Sequence, residues 1–600
     1  MTTQRADVAT KDTWNVEAMY PNLDAWNADF SSLINGKAPQ WKPIADTQGR
    51  LSESPEVLAQ TLEKYFLHSR RIEKLYTYAH LRHDEEITND THKSAFNKIV
   101  STYHQFAQDF AWLEPEILSL PPELLQQYLN NQQLAPYRFY LEKILRRRAH
   151  TLPAEQEALM ALSAKALQAS SKAFSAINDA DFKFGVAVTE SGEERPITHG
   201  SYGLFIRDQD RTLRSTAFKR LHKQYKSYEN TLCELLNGCV QSHLFNARAR
   251  KHTSCVEAAL FDKNIDVSVY TSLIEAVGNK IDVLHRYMAL RKRVMGVDTL
   301  HLYDVYVPMT KAVNITLSYD EAVEACCESV APLGRDYQDS LRQGLHAQRW
   351  VDRYENRNKR SGAYSSGCYD SYPYVLMNFK GVLRDAFTLA HEAGHSMHSF
   401  LSHKSQPYHY GDYPIFLAEV ASTFNEELLN KLLMERFTKR EEQIFLINER
   451  IEDLRATLFR QTMFAEFELE IHQMAERNEP LTPTSLKDKY IALNKKYFGP
   501  ATHVCEEIAW EWARIPHFYY NFYVYQYATG ISAALALVNR VLKGGDKERD
   551  DYLGFLKSGC SRYPLEILQS AGVDMRTPQP VEQALAHFGS LVDQLEALIG

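Results

Sequence analysis

Residues 391–398 read His-Glu-Ala-Gly-His-Ser-Met-His, and this octet is the most informative stretch of the chain. His391 and His395 are separated by about one turn of an α-helix, which contains about 3.6 residues. Two imidazoles at this spacing lie on one face of a helix and can bind a single metal ion. Glu392 lies beside such an ion, where its carboxylate can take a proton from water.

Apolar residues at helical spacing predict that the octet lies on an amphipathic helix. Asp385 is predicted to cap this helix, which begins near Ala386. Gly394 costs such a helix about 1 kcal/mol relative to alanine, and a close contact there would account for the cost. The predicted apolar stripe consists of Ala390, Ala393 or Gly394, Met397, and Phe400 or Leu401.

A catalytic zinc site commonly uses three protein ligands and keeps one position open. Position 401 is leucine, which excludes the third histidine of the longer pattern H-E-x-x-H-x-x-G-x-x-H. Position 415 is isoleucine, which excludes a glutamate twenty residues after His395. The first acidic residue in a helical context is Glu419, whereas Asp412 lies in a predicted loop.

Most of the chain is predicted to be helical, as in 55–145, where apolar residues recur at intervals of three and four. The segment 184–206 is predicted to form a β-hairpin, and we place a domain boundary near it, dividing the chain into 1–200 and 201–600. The segment 361–381 is predicted to contain one or two strands that lead into the motif helix. A strand there can bind an extended peptide through main-chain hydrogen bonds; the alternative is a small packing hairpin.

Composition excludes some classes of function. The chain is 44% hydrophobic with a net charge of −8, which gives no support for nucleic acid or an anionic membrane as a partner.

The apolar run 531–542 is short and predicts a buried helix, not a membrane span. The start of the chain lacks the apolar core of a signal peptide, and eight scattered cysteines, including an inert Cys368, fit reduced thiols. We therefore expect a cytoplasmic protein.

The pattern H-E-x-G-H-x-M-H, followed about two dozen residues later by Glu419 in a short E-x-x-S helix, resembles the M3 family of zinc oligopeptidases. Residues 14–20, residues 359–365 and the tyrosine-rich C-terminal block look most like its oligoendopeptidase F branch. The resemblance spans nearly the whole chain. It implies a mainly α, zincin-type fold with a deep channel between two helical halves and a small β element beside the active-site helix.

By this resemblance His391, His395 and Glu419 are the ligands of one zinc ion per chain, and Glu392 is the general base. The segment 201–600 is then the zinc metallopeptidase catalytic domain, after an N-terminal helical domain. The implied activity is hydrolysis of internal bonds in short, unstructured peptides, because a channel admits an extended chain and rejects a folded domain.

Some residues near the implied ligands are expected to orient them without binding the metal. Glu426 lies about two helical turns beyond Glu419 and is a candidate acceptor for a ligand imidazole. Ser422 and Thr423 compete for that role, and an exposed salt bridge is the alternative for Glu426. His398 is expected not to be a ligand, because a fourth ligand would close the position that water needs.

Residues 516–530 contain five tyrosines and one histidine. A peptidase needs hydrogen-bond donors aimed at the developing oxyanion. The family pattern places a histidine and following tyrosines over the metal, which implies catalytic roles for His517, Tyr523 and Tyr527. The interval between the last two matches one helical turn. Tyr520 is a rival, and the alternative is an aromatic core helix.

Two other functions stay open at this point. A related zinc carboxypeptidase would need a group that holds the free C-terminus, and no residue is assigned to that task. A non-catalytic peptide-binding zinc protein is the other alternative, although the intact Glu392 argues against it. Co²⁺ and Mn²⁺ also occupy such sites. The sequence does not predict the cleavage preference or the oligomeric state.

Overall fold

A computed structural model describes residues 3–34, 38–309 and 315–600 of the chain. The first two residues of the polar start lie outside this part. The described residues are mainly α-helical with a few short β-strands, which confirms the predicted mainly α fold.

The chain forms two compact units, and each is assembled from separate segments. The first unit contains Met1–Ala149, Asn314–Leu432 and Leu537–Gly572. The second unit contains His150–Val313, Leu433–Ala536 and Val573–Gly600. Each compact unit contains three segments that alternate along the chain with those of the other unit. This division does not test the predicted domains 1–200 and 201–600, which stay a prediction.

The helices account for most of each unit. Those of the first unit are Leu23–Ile34, Lys42–Ala45, Pro55–Glu85, Asp90–Asp109, Leu113–Ser119, Pro122–Leu129, Arg138–Arg146, Tyr319–Ser329, Arg335–Leu345, Leu383–Ser405, Tyr408–Gly411, Asp546–Leu556 and Pro564–Ser570. Those of the second are Ala154–Leu167, Ala169–Ala176, His199–Phe205, Arg211–Ser227, Glu229–Ala249, Cys255–Phe261, Val267–Asn279, Asp282–Val294, Arg440–Leu454, Gln461–Glu476, Pro483–Phe498 and Gln579–Ile599. Two further helices, Ile415–Arg436 and Tyr525–Lys543, contain a division between the units.

The second unit contains two small sheets. Val186–Val188 pairs antiparallel with Glu194–Pro196, with Val188 opposite Glu194, which confirms the predicted hairpin. Leu300–His301 pairs in parallel with Thr502–His503.

The first unit contains one three-stranded sheet, and this sheet precedes the motif helix in sequence. Tyr374–Leu376 is its central strand, parallel to Val351–Asp352 and antiparallel to Tyr364–Ser366. The prediction of one or two strands within 361–381 is therefore confirmed, and the segment contains two. Tyr364–Ser366, the edge strand, has a sheet neighbour on only one side among the described strands.

A buried lysine ties this sheet together. Lys359 Nζ lies 2.6 Å from Asp352 Oδ1 and donates to the carbonyl of Met377 at 2.6 Å. Arg5 pairs with the same aspartate at 2.6 Å. A buried charge is tolerated only where it is paired and hydrogen-bonded, so this network holds the sheet in one arrangement.

The motif helix spans Leu383–Ser405 and begins earlier than predicted. Asp385 is not its cap, so that prediction was wrong. The carboxylate instead lies in the first turn and accepts hydrogen bonds from the main-chain nitrogens of Lys380, at 2.6 Å, and Val382, at 3.2 Å. It satisfies amides that precede the helix, where no intrahelical carbonyl is available.

Gly394 lies where the motif helix closely approaches the glutamate helix, Ile415–Arg436. A Cβ atom at Gly394 would be 2.6 Å from both the carbonyl oxygen of Ala421 and the Cα atom of Ser422. Ala390 and Met397, on the predicted apolar stripe, are buried. The close contact expected from the sequence is therefore a contact between two helix backbones.

Replacing Gly394 with alanine should destabilise the protein by about 1–3 kcal/mol, because two backbones must separate to admit one methyl group. The matched control is Gly554→Ala, on the exposed side of the helix Asp546–Leu556, where a Cβ atom meets no heavy atom within 4 Å. That change should stabilise the helix by about 1 kcal/mol. Urea unfolding checks both values, and equal effects of the two substitutions would contradict the close approach.

Candidate metal centre

Three side chains converge between the motif helix and the glutamate helix. His391 Nε2 lies 3.2 Å from His395 Nε2 and 3.6 Å from Glu419 Oε2, and His395 Nε2 lies 4.0 Å from that oxygen. Donor atoms held about 2.0–2.2 Å from one tetrahedral zinc ion are about 3.3–3.6 Å apart. The observed distances of 3.2–4.0 Å lie close to this range. In the described residues, this is the only group of three histidine, cysteine or acidic side chains placed to hold a metal ion.

The hydrogen bonds around the imidazoles explain why this arrangement favours a cation. His391 Nδ1 is bonded to Glu426 Oε1, and His395 is bonded to the main chain of Ala418. With Nδ1 donating to a carboxylate, the Nε2 atom of neutral His391 carries a lone pair. That lone pair, the facing nitrogen of His395 and a carboxylate oxygen point at one another, and a metal ion can satisfy all three.

Within the glutamate helix, a serine contacts the side chain of Glu419. Ser422 Oγ donates to Glu419 Oε2 at 3.3 Å and to the Glu419 carbonyl at 3.1 Å. Of the three candidates for contact with a motif imidazole, Glu426 makes the contact, to His391. Ser422 instead contacts the carboxylate of Glu419.

The electrostatics of the cluster are dominated by carboxylates. Burial lowers the pKa of His391, but its bond to Glu426 and the charges of Glu426, Glu392 and Glu419 outweigh this and raise the pKa to about 9. Burial and the neighbouring His391 lower the pKa of His395 to about 3. Three acids beside two imidazoles give the site a net preference for positive charge.

Glu392 is buried next to the cluster and the edge strand. Burial raises the pKa of its carboxyl group, while His391 and a main-chain hydrogen bond from Ser365 oppose the shift. Ser365 Oγ also lies 2.8 Å from Ser396 Oγ of the motif helix. Ser396 lies in the octet and Ser365 in the segment 359–365, but nothing in the sequence indicated that the two hydroxyls meet.

His398 and Cys368 are placed as expected of residues outside the cluster. The buried ring of His398 stacks on Tyr413, with the ring centroids 3.6 Å apart, and neither of its nitrogens has a hydrogen-bond partner in the described residues. Cys368 is buried, and burial raises the pKa of its thiol to about 11, which keeps it protonated.

The aromatic block lies in the second unit. The ring of His517 is 5.5 Å from that of Tyr520, 6.2 Å from that of Tyr523 and 6.0 Å from that of Tyr527, measured between centroids. The tyrosine helix, Tyr525–Lys543, begins after Tyr523. The expected helical turn between Tyr523 and Tyr527 is therefore wrong, although their rings are only 5.5 Å apart. Asn521 and Phe522, with positive φ angles, form a turn before the helix begins.

Other residues of the block pack into the core. Phe518 is fully buried, and Tyr519 stacks on Phe174 with a centroid distance of 4.3 Å. The apolar run 531–542 lies within the tyrosine helix, and Ile531 is 2% exposed. None of the described helices combines the length and hydropathy needed to cross a bilayer.

Residues 204–587 match the model of peptidase family M3, and residues 116–184 match that of the oligopeptidase F N-terminal region. The chain belongs to peptidase family M3. Membership makes it a metalloendopeptidase that acts on peptides.

Relatives of the M3 chain cover almost all of its length. It is 43% identical to oligopeptidase PepF of Bacillus subtilis over 99% of the chain and 88% of that protein. It is 36% identical to an oligoendopeptidase F homolog of Lactococcus lactis over 100% of the chain and 99% of that protein.

Two solved structures also resemble the M3 chain over nearly its full length. A Chlamydophila abortus protein matches with a TM-score of 0.96 at 42% identity, over the full length of both chains. Oligoendopeptidase F from Enterococcus faecium matches with a TM-score of 0.72 at 34% identity, over 97% of this chain and 99% of that one.

Replacing Glu426 with alanine should weaken zinc binding by about 10–100-fold, because His391 loses the acceptor that sets its orientation and tautomer. Competition with a coloured chelator measures the affinity. The matched control is Glu435→Ala, an exposed acid on the same helix, which should leave zinc binding unchanged. An unaltered affinity in the Glu426 variant would rule out its supporting role.

Proposed function

We propose that this M3 protein is a zinc-dependent oligoendopeptidase that hydrolyses internal bonds of short, unstructured peptides. The observation that carries the proposal is the convergence of His391, His395 and Glu419, with Glu392 buried beside them. The alternative carboxypeptidase activity has no group in its favour, since no cation is assigned to hold a peptide C-terminus.

Zinc is the metal we assign to the cluster, with His391, His395 and Glu419 as its ligands. Two imidazoles and one carboxylate match the donor set of catalytic zinc sites, and the 3.2–4.0 Å distances among the three atoms suit one small ion. A bound zinc ion acts as a Lewis acid on the scissile carbonyl and lowers the pKa of water.

Glu392 serves as the general base. Its carboxylate adjoins the cluster, and its position is held by the main chain of Ser365 and by the turn that carries His391. It takes a proton from the attacking water molecule and delivers it to the departing amine. Its burial excludes bulk water from the proton transfer.

The edge strand Tyr364–Ser366 binds the substrate main chain. One edge of this strand pairs with Tyr374–Leu376, and no described strand pairs with the other edge. A peptide added to a free sheet edge is held in extended form by main-chain hydrogen bonds, whatever its side chains. The same strand contacts Glu392 through Ser365, so an added peptide would lie close to the proposed base.

His517, Tyr523 and Tyr527 supply hydrogen bonds to the oxyanion, as the family pattern implies. Their rings form one cluster in the second unit. Burial lowers the pKa of His517, so its neutral form dominates at neutral pH and donates from one nitrogen. Tyr520, which is 53% exposed, shares the cluster and stays a rival donor. The enclosed channel that would limit substrate size also stays a prediction.

A cytoplasmic location belongs to the same proposal. All eight cysteines are free thiols, and six of them are buried. A reducing compartment keeps such thiols in this state. Cell fractionation with an antibody to the protein tests the location.

Peptides of graded length, blocked at both ends, should be cut at internal bonds, while casein should be cut far more slowly. A chelator should abolish cleavage, and added zinc should restore it. Mass spectrometry of the products identifies the bonds. Release of single C-terminal residues from unblocked peptides alone would instead identify a carboxypeptidase.

The control for this assay is Glu392→Gln, which keeps the shape of the side chain but cannot accept the proton. It should bind zinc normally and lose about 10²–10⁴-fold in kcat. Turnover equal to that of the unmodified enzyme would eliminate Glu392 as the base.

Replacing Tyr523 or Tyr527 with phenylalanine should lower kcat by up to about 10²–10³-fold with little change in KM, because the donor acts mainly on the transition state. The matched control is Tyr519→Phe, whose ring stacks on Phe174 and has no assigned contact with substrate. Steady-state kinetics of these variants and of Tyr520→Phe identify the donor. Full activity in both the Tyr523 and Tyr527 variants would exclude them.

A further inference from the structure

Two successive residues of the aromatic block have an unusual main-chain conformation. Asn521 has a φ angle of 50° and Phe522 one of 58°. This left-handed region is unfavourable for a bulky side chain such as phenylalanine, so surrounding contacts must hold it there. Tyr520 precedes the pair and Tyr523 follows it, which makes the direction of both rings depend on this turn.

A buried acid makes the contact that holds the turn. Glu468, on the helix Gln461–Glu476, is fully buried, and its Oε1 atom accepts a hydrogen bond from the main-chain nitrogen of Phe522 at 2.6 Å. Its Oε2 atom has no hydrogen-bond partner in the part of the chain that the structure describes. The ring of Phe522 is 2% exposed and packs against Tyr270 and His472.

Among the described residues, the titratable groups that interact with Glu468 supply no positive charge. His472 is buried, and its Nδ1 atom is bonded to the Glu468 carbonyl at 2.8 Å, while its Nε2 atom lies 3.0 Å from His243 Nδ1. Burial lowers the pKa of His472 to about 3 and that of His243 to about 4, so both rings are neutral. Tyr270 and Cys239, the other titratable groups that interact with Glu468, have raised pKa values because they are buried. Burial therefore raises the pKa of Glu468 to about 8, against the opposing hydrogen bond from Phe522.

We propose that Glu468 is a positioning residue, which fixes the main chain at Phe522 and thereby aims the tyrosines on either side of it. This rests on the proposed function of the aromatic block. Glu468 acts through the Phe522 amide and touches no substrate itself. A neutral carboxyl group suits the task, because its carbonyl oxygen accepts the amide proton without placing a charge in an apolar site.

The test compares Glu468→Met, which removes the acceptor at nearly constant length, with Glu468→Gln, which keeps it. In the methionine variant, hydrogen exchange of the segment 518–526 should accelerate by about tenfold or more, since the buried amide loses its partner. Its kcat on blocked peptides should fall by about tenfold, with KM and zinc content nearly unchanged. The glutamine variant should restore both the exchange rate and kcat.

The matched control is Glu470→Met, on the same helix, where the acid pairs with Lys489 at 3.1 Å. It should leave exchange and kcat unchanged. If Glu468→Met does not fold, Glu468→Asp withdraws the acceptor with a milder change and should show the same acceleration. Equal exchange of the segment 518–526 in the unmodified protein and in the variants that lack the acceptor would overturn the proposal.

Heat stability gives a second, independent readout. The native carboxyl keeps its proton up to pH about 8, whereas in the unfolded chain it ionises near its ordinary value of 4.5. The contribution of Glu468 to the stability of the unmodified protein therefore decreases as pH rises between these values. A glutamine at this position does not ionise, so its contribution does not change with pH. The Tm of Glu468→Gln should exceed that of the unmodified protein by a margin that grows from pH 5 to pH 8. A constant margin would show that the carboxyl is not held neutral.

These readouts separate this inference from the proposed function. If the unmodified protein cleaves no peptide while the exchange result holds, hydrolysis is refuted and the positioning contact stands. If peptides are cleaved equally well by the unmodified protein and the methionine variant, the positioning role fails alone.

Discussion

The arrangement of His391, His395 and Glu419 depends on the close approach of two helix backbones at Gly394. A side chain larger than hydrogen would meet the main chain at Ala421 and Ser422, only 2.6 Å away. With glycine there, the glutamate helix lies close enough for Glu419 to reach the imidazoles on the motif helix. The conformational cost of glycine in a helix is offset by the close packing that it permits.

The glutamate helix supplies one proposed ligand, Glu419, and also the side chains that orient the cluster. Glu419, Ser422 and Glu426 follow one another at intervals of three and four residues and so lie on one helical face. Glu419 faces the metal position, Ser422 bonds to its carboxylate, and Glu426 bonds to the far nitrogen of His391. One rigid element therefore holds both a proposed ligand and the groups that orient the ligands, which limits how far the cluster can relax without an ion.

Two carboxyl groups support separate parts of the proposed chemistry. Glu426 accepts a hydrogen bond from the imidazole of His391 and helps to raise the pKa of that ring. Glu468 is fully buried beside neutral rings, so it keeps its proton and works as a neutral acceptor. A glutamate side chain thus performs a different task at each of the two positions, according to the charges that surround it.

The sequence by itself determined the elements whose signals are local. The spacing of His391 and His395, the apolar period around them, the hairpin in 184–206 and the strands in 361–381 all follow from periodicity and turn chemistry over a few residues. Only the tertiary structure decided that the motif helix begins at Leu383, that Glu426 and not Ser422 meets an imidazole, and that Glu468 supports the turn at Phe522. These features depend on contacts between residues that are far apart in the sequence, such as His391 with Glu426 and Glu468 with Phe522. Contacts of this kind produce no repeating pattern in the sequence from which they could be predicted.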